Sequence, residues 1–268
     1  TYGFSVRFKF FWLFVIALIA ALALYLPKPY GLQNEGAVQI PFVGERDFGY
    51  WYIPIATFLI VATSNAVNLT DGLDSLAAWL LVVAFAAYGV ITFVGYPRFI
   101  YLSVFCFTMV GACAAFLWYN AHPAQVFMGD LGSLSLGAAL AVVALISQHW
   151  LLLPLVGAIF VAEAASVILQ VGYFKWTRRR YGEGRRIFRM SPLHSHFELG
   201  GWSEMQVMQR FVLLGMITAL LGISLTLTTP ESQGRPTMSE TQAAPASSES
   251  QELRSPEGMP LNSSLERR

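Results

Sequence analysis

The hydrophobic positions of this chain fall in long unbroken blocks rather than in alternating or half-and-half patterns. The blocks are Phe8–Leu26, Trp51–Val67, Leu76–Val94, Phe99–Trp118, Leu134–Ser147, Leu151–Gly172 and Val207–Leu227. Each is close to the roughly 20 residues that carry an α-helix across a bilayer. Several are interrupted only by Gly, Ser or Thr, which transmembrane helices tolerate and use for close packing. A soluble amphipathic helix would keep a polar face, and these runs have none. The pattern predicts an all-α fold, a polytopic transmembrane helix bundle of seven spans over residues 1–228. Residues 229–268 are rich in Ser, Pro, Glu and Gln, poor in large apolar side chains, and are predicted to form a disordered polar tail.

Composition agrees. Of the 268 residues 55% are hydrophobic and 12% charged, with a mean hydropathy of +0.53, too little polar surface for a soluble domain of this length. The net charge of +1 carries no signal for nucleic acid. Cys106 and Cys113 share one apolar run and one helix face, and read as small buried hydrophobes rather than a disulfide or a metal pair. Arg7 and Lys9 precede a run too long for a signal peptide and without a small-residue cleavage site. Position 1 is not Met, so the chain is expected to begin inside a longer protein or to have been trimmed.

Basic residues set an orientation. Lys175, Arg178, Arg179, Arg180, Arg185, Arg186 and Arg189 crowd one interspan segment against a lone Glu183, which predicts that it stays in the cytoplasm, with lipid headgroups as its nearest contacts. Counting crossings from there agrees with Arg7 and Lys9 before the first span, and places the tail outside the cell. On the same count, three polar clusters fall on the cytoplasmic side.

The first cluster is Asn65, Asn68, Asp71 and Asp74, recurring every third residue, with Gly72 expected to break the helix. One helix cap needs one such residue; four amide and carboxylate groups at membrane depth point to a task. The second is Asp130, at the start of the fifth span. The third and fifth spans both begin on this face, so their free N–H groups and positive dipole ends suit a pyrophosphate. Carboxylates beside phosphate call for a cation, and Mg²⁺ takes such oxygen ligands. The third cluster is His194, Ser195, His196 and Glu198 in a loop. Zinc would need further His or Cys ligands nearby; phosphate binding or proton transfer fits these residues, as does a pair of exposed loop histidines. Glu163 lies in mid-span, where a carboxylate either has a function or pairs with Ser or Gln on a neighbouring helix.

The strings NAVNLTDGLDSLA, WYNAHPAQVFMGDLGSLSLG, FVAEAASVILQVGYFK and RIFRMSPLHSHFELGGWSE resemble the bacterial phospho-N-acetylmuramoyl-pentapeptide-transferases, a branch of the polyprenyl-phosphate N-acetylhexosamine-1-phosphate transferases. The similarity runs from about Gly3 to about Ile223. It implies transfer of phospho-N-acetylmuramoyl-pentapeptide from UDP-MurNAc-pentapeptide to undecaprenyl phosphate, giving lipid I and UMP, with Mg²⁺. It implies Asp71 and Asp74 as the acidic loop, Asp130 as the magnesium aspartate with Asp71 beside it, and His194 and His196 as catalytic histidines. Asn65, Asn68, Asn120, Phe127 and Ser195 would contact substrate. The implied setting is the bacterial inner membrane with the site facing the cytoplasm; the implied partners are the two substrates, the lipid bilayer and a second copy of the chain in a homodimer, with no nucleic acid.

Two departures stand out. Ser195 occupies the middle of a family His triplet, and a hydroxyl can bond phosphate but carries no charge. The family's adjacent Asp pair, just upstream of the segment matching Gly3–Phe11, is not in this sequence, so the chain alone is expected to be inactive. A sister enzyme using UDP-GlcNAc and a non-catalytic, degenerate membrane copy are the alternatives; HSHFELGGW argues against the first.

Overall fold

The computed structural model describes residues 6–26, 36–95 and 99–228. The expected disordered tail, 229–268, lies outside the described residues. Among the described residues the regular structure is helical apart from one hairpin. The helices are α1 (Val6–Tyr25), α2 (Tyr52–Thr70), α3 (Leu76–Gly95), α4 (Ile100–Asn120), α5 (Gly129–Ile146), α6 (Leu153–Val156), α7 (Ala158–Tyr181), α8 (Leu193–Glu198) and α9 (Glu204–Thr226). Seven of them are long and apolar enough to cross a bilayer; α6 and α8 are the short ones. The chain is a multi-pass membrane protein.

Helix limits depart from the apolar blocks where polar residues carry the helix on. The fifth helix begins at Gly129, five residues before its block, because Asp130, Ser133 and Ser135 are accommodated in its first turns. The hydroxyls of Ser133 and Ser135 donate to the carbonyls of Gly129 and Leu131 one turn back. The sixth block is split at Gly157 into α6 and α7, and α7 then runs through Lys175–Arg180 to Gly182, whose φ of +79° terminates it with three arginines in its last turn. The seventh long helix, α9, opens with a capping box: the Ser203 hydroxyl accepts from the Gln206 N–H, and the Gln206 side chain accepts from the Ser203 N–H.

The hairpin, β1 (Ala37–Ile40) and β2 (Gly44–Asp47), pairs antiparallel with Ala37 opposite Asp47. It lies in the polar segment between α1 and α2, which alternation too short to register did not mark as strand. The Gln39 N–H donates to the Gln148 carbonyl at 2.8 Å, and Phe48 meets Trp150 edge to face, so the hairpin seals the bundle end where α5 turns toward α6.

In the bundle α2 packs on α1, α5 and α7, and α3 packs on α4 and α9. Close approach of α2 and α5 rests on Gly137: a β-carbon there would stand 2.7 Å from the Ser64 Cα and 2.8 Å from the Thr63 carbonyl. The Ser64 hydroxyl completes the seam by donating to the Leu134 carbonyl at 2.7 Å. This seam sets the C-terminus of α2 beside the N-terminus of α5. Cys106 and Cys113 are buried and free on α4.

Candidate active site

Four chain segments meet at one end of the bundle: the turn between α2 and α3, the segment from α4 into α5, the α8 turn, and the start of α9. Each contributes side chains because a helix ends there and leaves backbone groups to be satisfied.

At the α2–α5 seam, Asp130 in the first turn of α5 is well exposed, with 69% of its side chain open. The Asn68 amide donates to Asp130 Oδ1 and to Ser133 Oγ, both at 2.8 Å, and Lys9 on α1 holds Asp130 Oδ2 at 2.7 Å. Asp71 follows α2 directly and accepts a hydrogen bond from the Gly129 N–H. Burial pushes its pKa from 3.8 up to about 6, opposed by that bond and reinforced by the Asp130 charge. Two carboxylates thus face one another across a helix N-terminus.

Asp74 lies farther along the same turn. Its Oδ2 accepts from the Ala124 N–H and meets His122 Nδ1, each at 3.0 Å; its own N–H donates to Glu204 Oε1 at 2.9 Å. His122 Nδ1 is also 3.6 Å from Glu204 Oε2. One ligand atom each from Asp74, His122 and Glu204 lie within 4.8 Å of one another, a set that could hold a metal ion. Asn120 is buried between these elements: its Oδ1 accepts from Ser75 N–H and its Nδ2 donates to the Val126 carbonyl. That fixes the loop carrying His122 and Phe127, and Phe127 itself is largely exposed.

The segment expected to be a His loop contains the short helix α8. His194 is buried, its Nδ1 is 3.2 Å from Oε1 of Glu163 on α7, and its ring lies against Gly72. A β-carbon on Gly72 would collide with Nε2, so any side chain there would displace the His194 ring; no unusual backbone angle is involved. His196 is bonded oppositely: its Nδ1 accepts from the Arg189 N–H at 3.1 Å, which leaves the proton of the neutral ring on Nε2. Phe197 stacks on Trp202 at 4.6 Å, and Arg210 caps Trp202 at 3.9 Å, so the turn sits on an aromatic base.

The structure therefore bonds Asn68 to Asp130, sets Asp71 beside them on the Gly129 N–H, links Asp74 to His122 and Glu204, and lays His194 on the Asp71–Asp74 turn. The Asn65 amide donates to the Val61 carbonyl of its own helix. Ser195 and His196 share the α8 turn with His194. Sequence reasoning did not single out Lys9, Ser133, His122 or Glu204 as site residues. Lys9 read as a topology marker; for His122, adjacency to Asn120 in NAHPA was the available signal, and Glu204 is, by position, an acid in the first turn of α9.

Glycosyl transferase family 4 matches residues 1–148. The chain is 68% identical over 227 residues to a phospho-N-acetylmuramoyl-pentapeptide-transferase of Chloroflexus aurantiacus, covering 85% of this chain and 62% of that protein. A protein of the same name from Chloroflexus aggregans is 66% identical over 235 residues, 87% of this chain and 64% of that protein. One from a Wolbachia of Drosophila simulans is 41% identical over 225 residues, 84% of this chain and 68% of that protein. The chain thus spans less than two thirds of the length of the Chloroflexus relatives.

Proposed function

The chain belongs to glycosyl transferase family 4, and from that premise we propose that it forms the larger part of an enzyme transferring phospho-N-acetylmuramoyl-pentapeptide from UDP onto undecaprenyl phosphate. The products are lipid I and UMP. The observation that carries this reading is the convergence of Asp71, Asp74, Asp130 and His194 at one end of a membrane bundle.

In the reaction an oxygen of the lipid phosphate bonds to the sugar-linked phosphorus of the UDP-sugar, and the bond from that phosphorus to the oxygen of the uridine-side phosphate breaks. Both reactants are anions, so the site must offset charge. Asp71 and Asp130 supply hard oxygen donors whose mutual repulsion a divalent cation would relieve, which fits Mg²⁺. Bound there, Mg²⁺ would neutralise the phosphates and polarise the reacting one. The set at Asp74, His122 and Glu204 mixes nitrogen with oxygen and already bonds within itself, so it suits this ion less well.

The chain's own groups have distinct tasks. Lys9 and Asn68 hold Asp130 from two sides. Asp71, with a pKa of about 6, is in range to exchange a proton near neutral pH. His194 and His196 offer Nε2 atoms of opposite character, one available to accept and one carrying hydrogen, and Ser195 between them offers a hydroxyl. Asn65, Asn120 and Phe127 contribute to the nucleotide side, Phe127 by stacking its exposed ring on uracil. The site faces the cytoplasm of the bacterial inner membrane and residues 229–268 form a tail outside, by the basic segment Lys175–Arg189.

The test is conversion by the full-length gene product in detergent with Mg²⁺, undecaprenyl phosphate and UDP-MurNAc-pentapeptide, followed as UMP release and lipid I formation. Release with this donor and none with UDP-GlcNAc is expected. Preference for UDP-GlcNAc would move the protein to a sister activity, and no release with either would refute the proposal.

A further inference from the structure

Glu163 is fully buried in α7, in the middle of an otherwise apolar stretch. A carboxylate in that position needs donors for its lone pairs, and none comes from its own helix. All three come from the α8 turn. Its Oε2 accepts from the Leu193 N–H at 2.6 Å; its Oε1 accepts from the His194 N–H and faces His194 Nδ1, both at 3.2 Å. The residue preceding α8 is Pro192, which offers no side-chain cap. The first N–H groups of that turn would otherwise be orphaned in a buried place. Glu163 satisfies them from another helix.

The same contact decides what His194 presents to the site. An acceptor at Nδ1 requires the proton there, and orients the ring so that Nε2 lies on Gly72, between Asp71 and Leu73. The neighbouring His196 has an N–H donor at Nδ1 and so the opposite proton placement. Two histidines in one turn are thus set differently by their partners, and only one of those partners is a side chain.

We propose that Glu163 is a positioning residue: it seats the α8 turn and fixes His194 with Nδ1 protonated and Nε2 directed at the Asp71–Asp74 turn. This rests on His194 serving the reaction proposed above.

The full-length enzyme is assayed for UMP release as Glu163→Gln, His194→Ala and the double variant, with unfolding midpoints measured in parallel. Glutamine keeps the shape but sets an NH₂ where an acceptor is required. Glu163→Gln should lower kcat by about 10- to 100-fold, with KM for either substrate changed less than about threefold. In the His194→Ala background the same change should cost less than about twofold, because groups acting as a unit are not additive. Equal loss in both backgrounds would mark Glu163 as a general structural residue and overturn the proposal. So would full turnover in Glu163→Gln while His194→Ala is impaired. Full turnover in His194→Ala instead refutes the role of His194, a separate failure. Should Glu163→Gln not fold, ¹⁵N-histidine NMR of the unsubstituted enzyme decides, with the His194 signal identified by its loss in His194→Ala. A protonated Nδ1 is expected, and an unprotonated Nδ1 overturns the assignment.

Discussion

At one end of the bundle Asp71, Asp74, His122, Asp130 and Glu204 confront one another across helix termini, several of them partly or largely exposed. At the other end, among the described residues, buried polar groups bond to backbone carbonyls. The Tyr88 hydroxyl donates to the His149 carbonyl at 3.2 Å, the Ser103 hydroxyl to the Gly89 carbonyl at 2.8 Å, and His149 Nδ1 meets the Ser147 carbonyl at 2.7 Å. His149 is buried there, and burial holds its pKa below the usual histidine value. The hairpin closes over this end. This end commits these hydroxyls and His149 to backbone carbonyls and leaves only the buried Trp150 Nε1 among its described buried side-chain groups without a partner; the other keeps carboxylates whose repulsion a cation or donor would relieve. Polarity alone does not locate a site. Unrelieved charge does.

Three experiments press on that contrast. The largest effect is expected for Asp130→Asn, which removes a charge and an oxygen ligand from the exposed end. UMP release should drop by about 100-fold or more; near-normal turnover would detach the Lys9–Asn68–Asp130 group from the chemistry.

A smaller effect should come from pH. Burial raises the Asp71 pKa to about 6, so the folded protein holds a proton there that the unfolded chain releases near 4. The sign for stability follows: this contribution is fully present below about pH 4 and is lost as pH rises through about 6. For turnover the ionised form is the useful one, so rate should fall about tenfold between a plateau near pH 7 and pH 5. Because metal competes with protons, more Mg²⁺ should move this acid limb to lower pH. A flat profile, or a limb indifferent to Mg²⁺, would separate Asp71 from the cation.

The smallest effect belongs to the closed end. Tyr88→Phe removes one of two donors to the His149 carbonyl, which keeps the Leu152 N–H at 3.0 Å, a loss of about 1 kcal/mol or about 2–4 °C in the unfolding midpoint. Turnover should stay within about twofold, as expected of a bond made on folding and not in the reaction. A large loss of turnover would mean that the two ends are coupled.

Seven spans were legible because a bilayer imposes length and apolarity on every segment that crosses it. The hairpin was not: Ala37–Ile40 and Gly44–Asp47 are four residues each and include Gly, Glu, Arg and Asp, so neither shows alternation. Asp71, Asp130 and Asn68 stood out because polar groups beside apolar runs are conspicuous. Glu204 and Lys9 did not, since a first-turn acid and a flanking lysine are what any such helix end would carry. The partner of Glu163 was also hidden: it sits 31 residues away, on a turn with no helical periodicity of its own.

The segment after α7 carries one more consequence. Gln170 takes the Ile187 and Phe188 N–H groups on its Oε1 and gives its own N–H to the Phe188 carbonyl; Thr177 accepts from the Arg185 N–H. The backbone of this arginine-rich stretch is therefore stitched to the helix, while the guanidinium groups of Arg178, Arg179, Arg185 and Arg186 remain outward. A loose basic loop gives up backbone freedom when it meets an anionic surface; this one surrendered it when the protein folded. Any encounter with phosphate-bearing headgroups would start with much of the entropic cost of ordering already met.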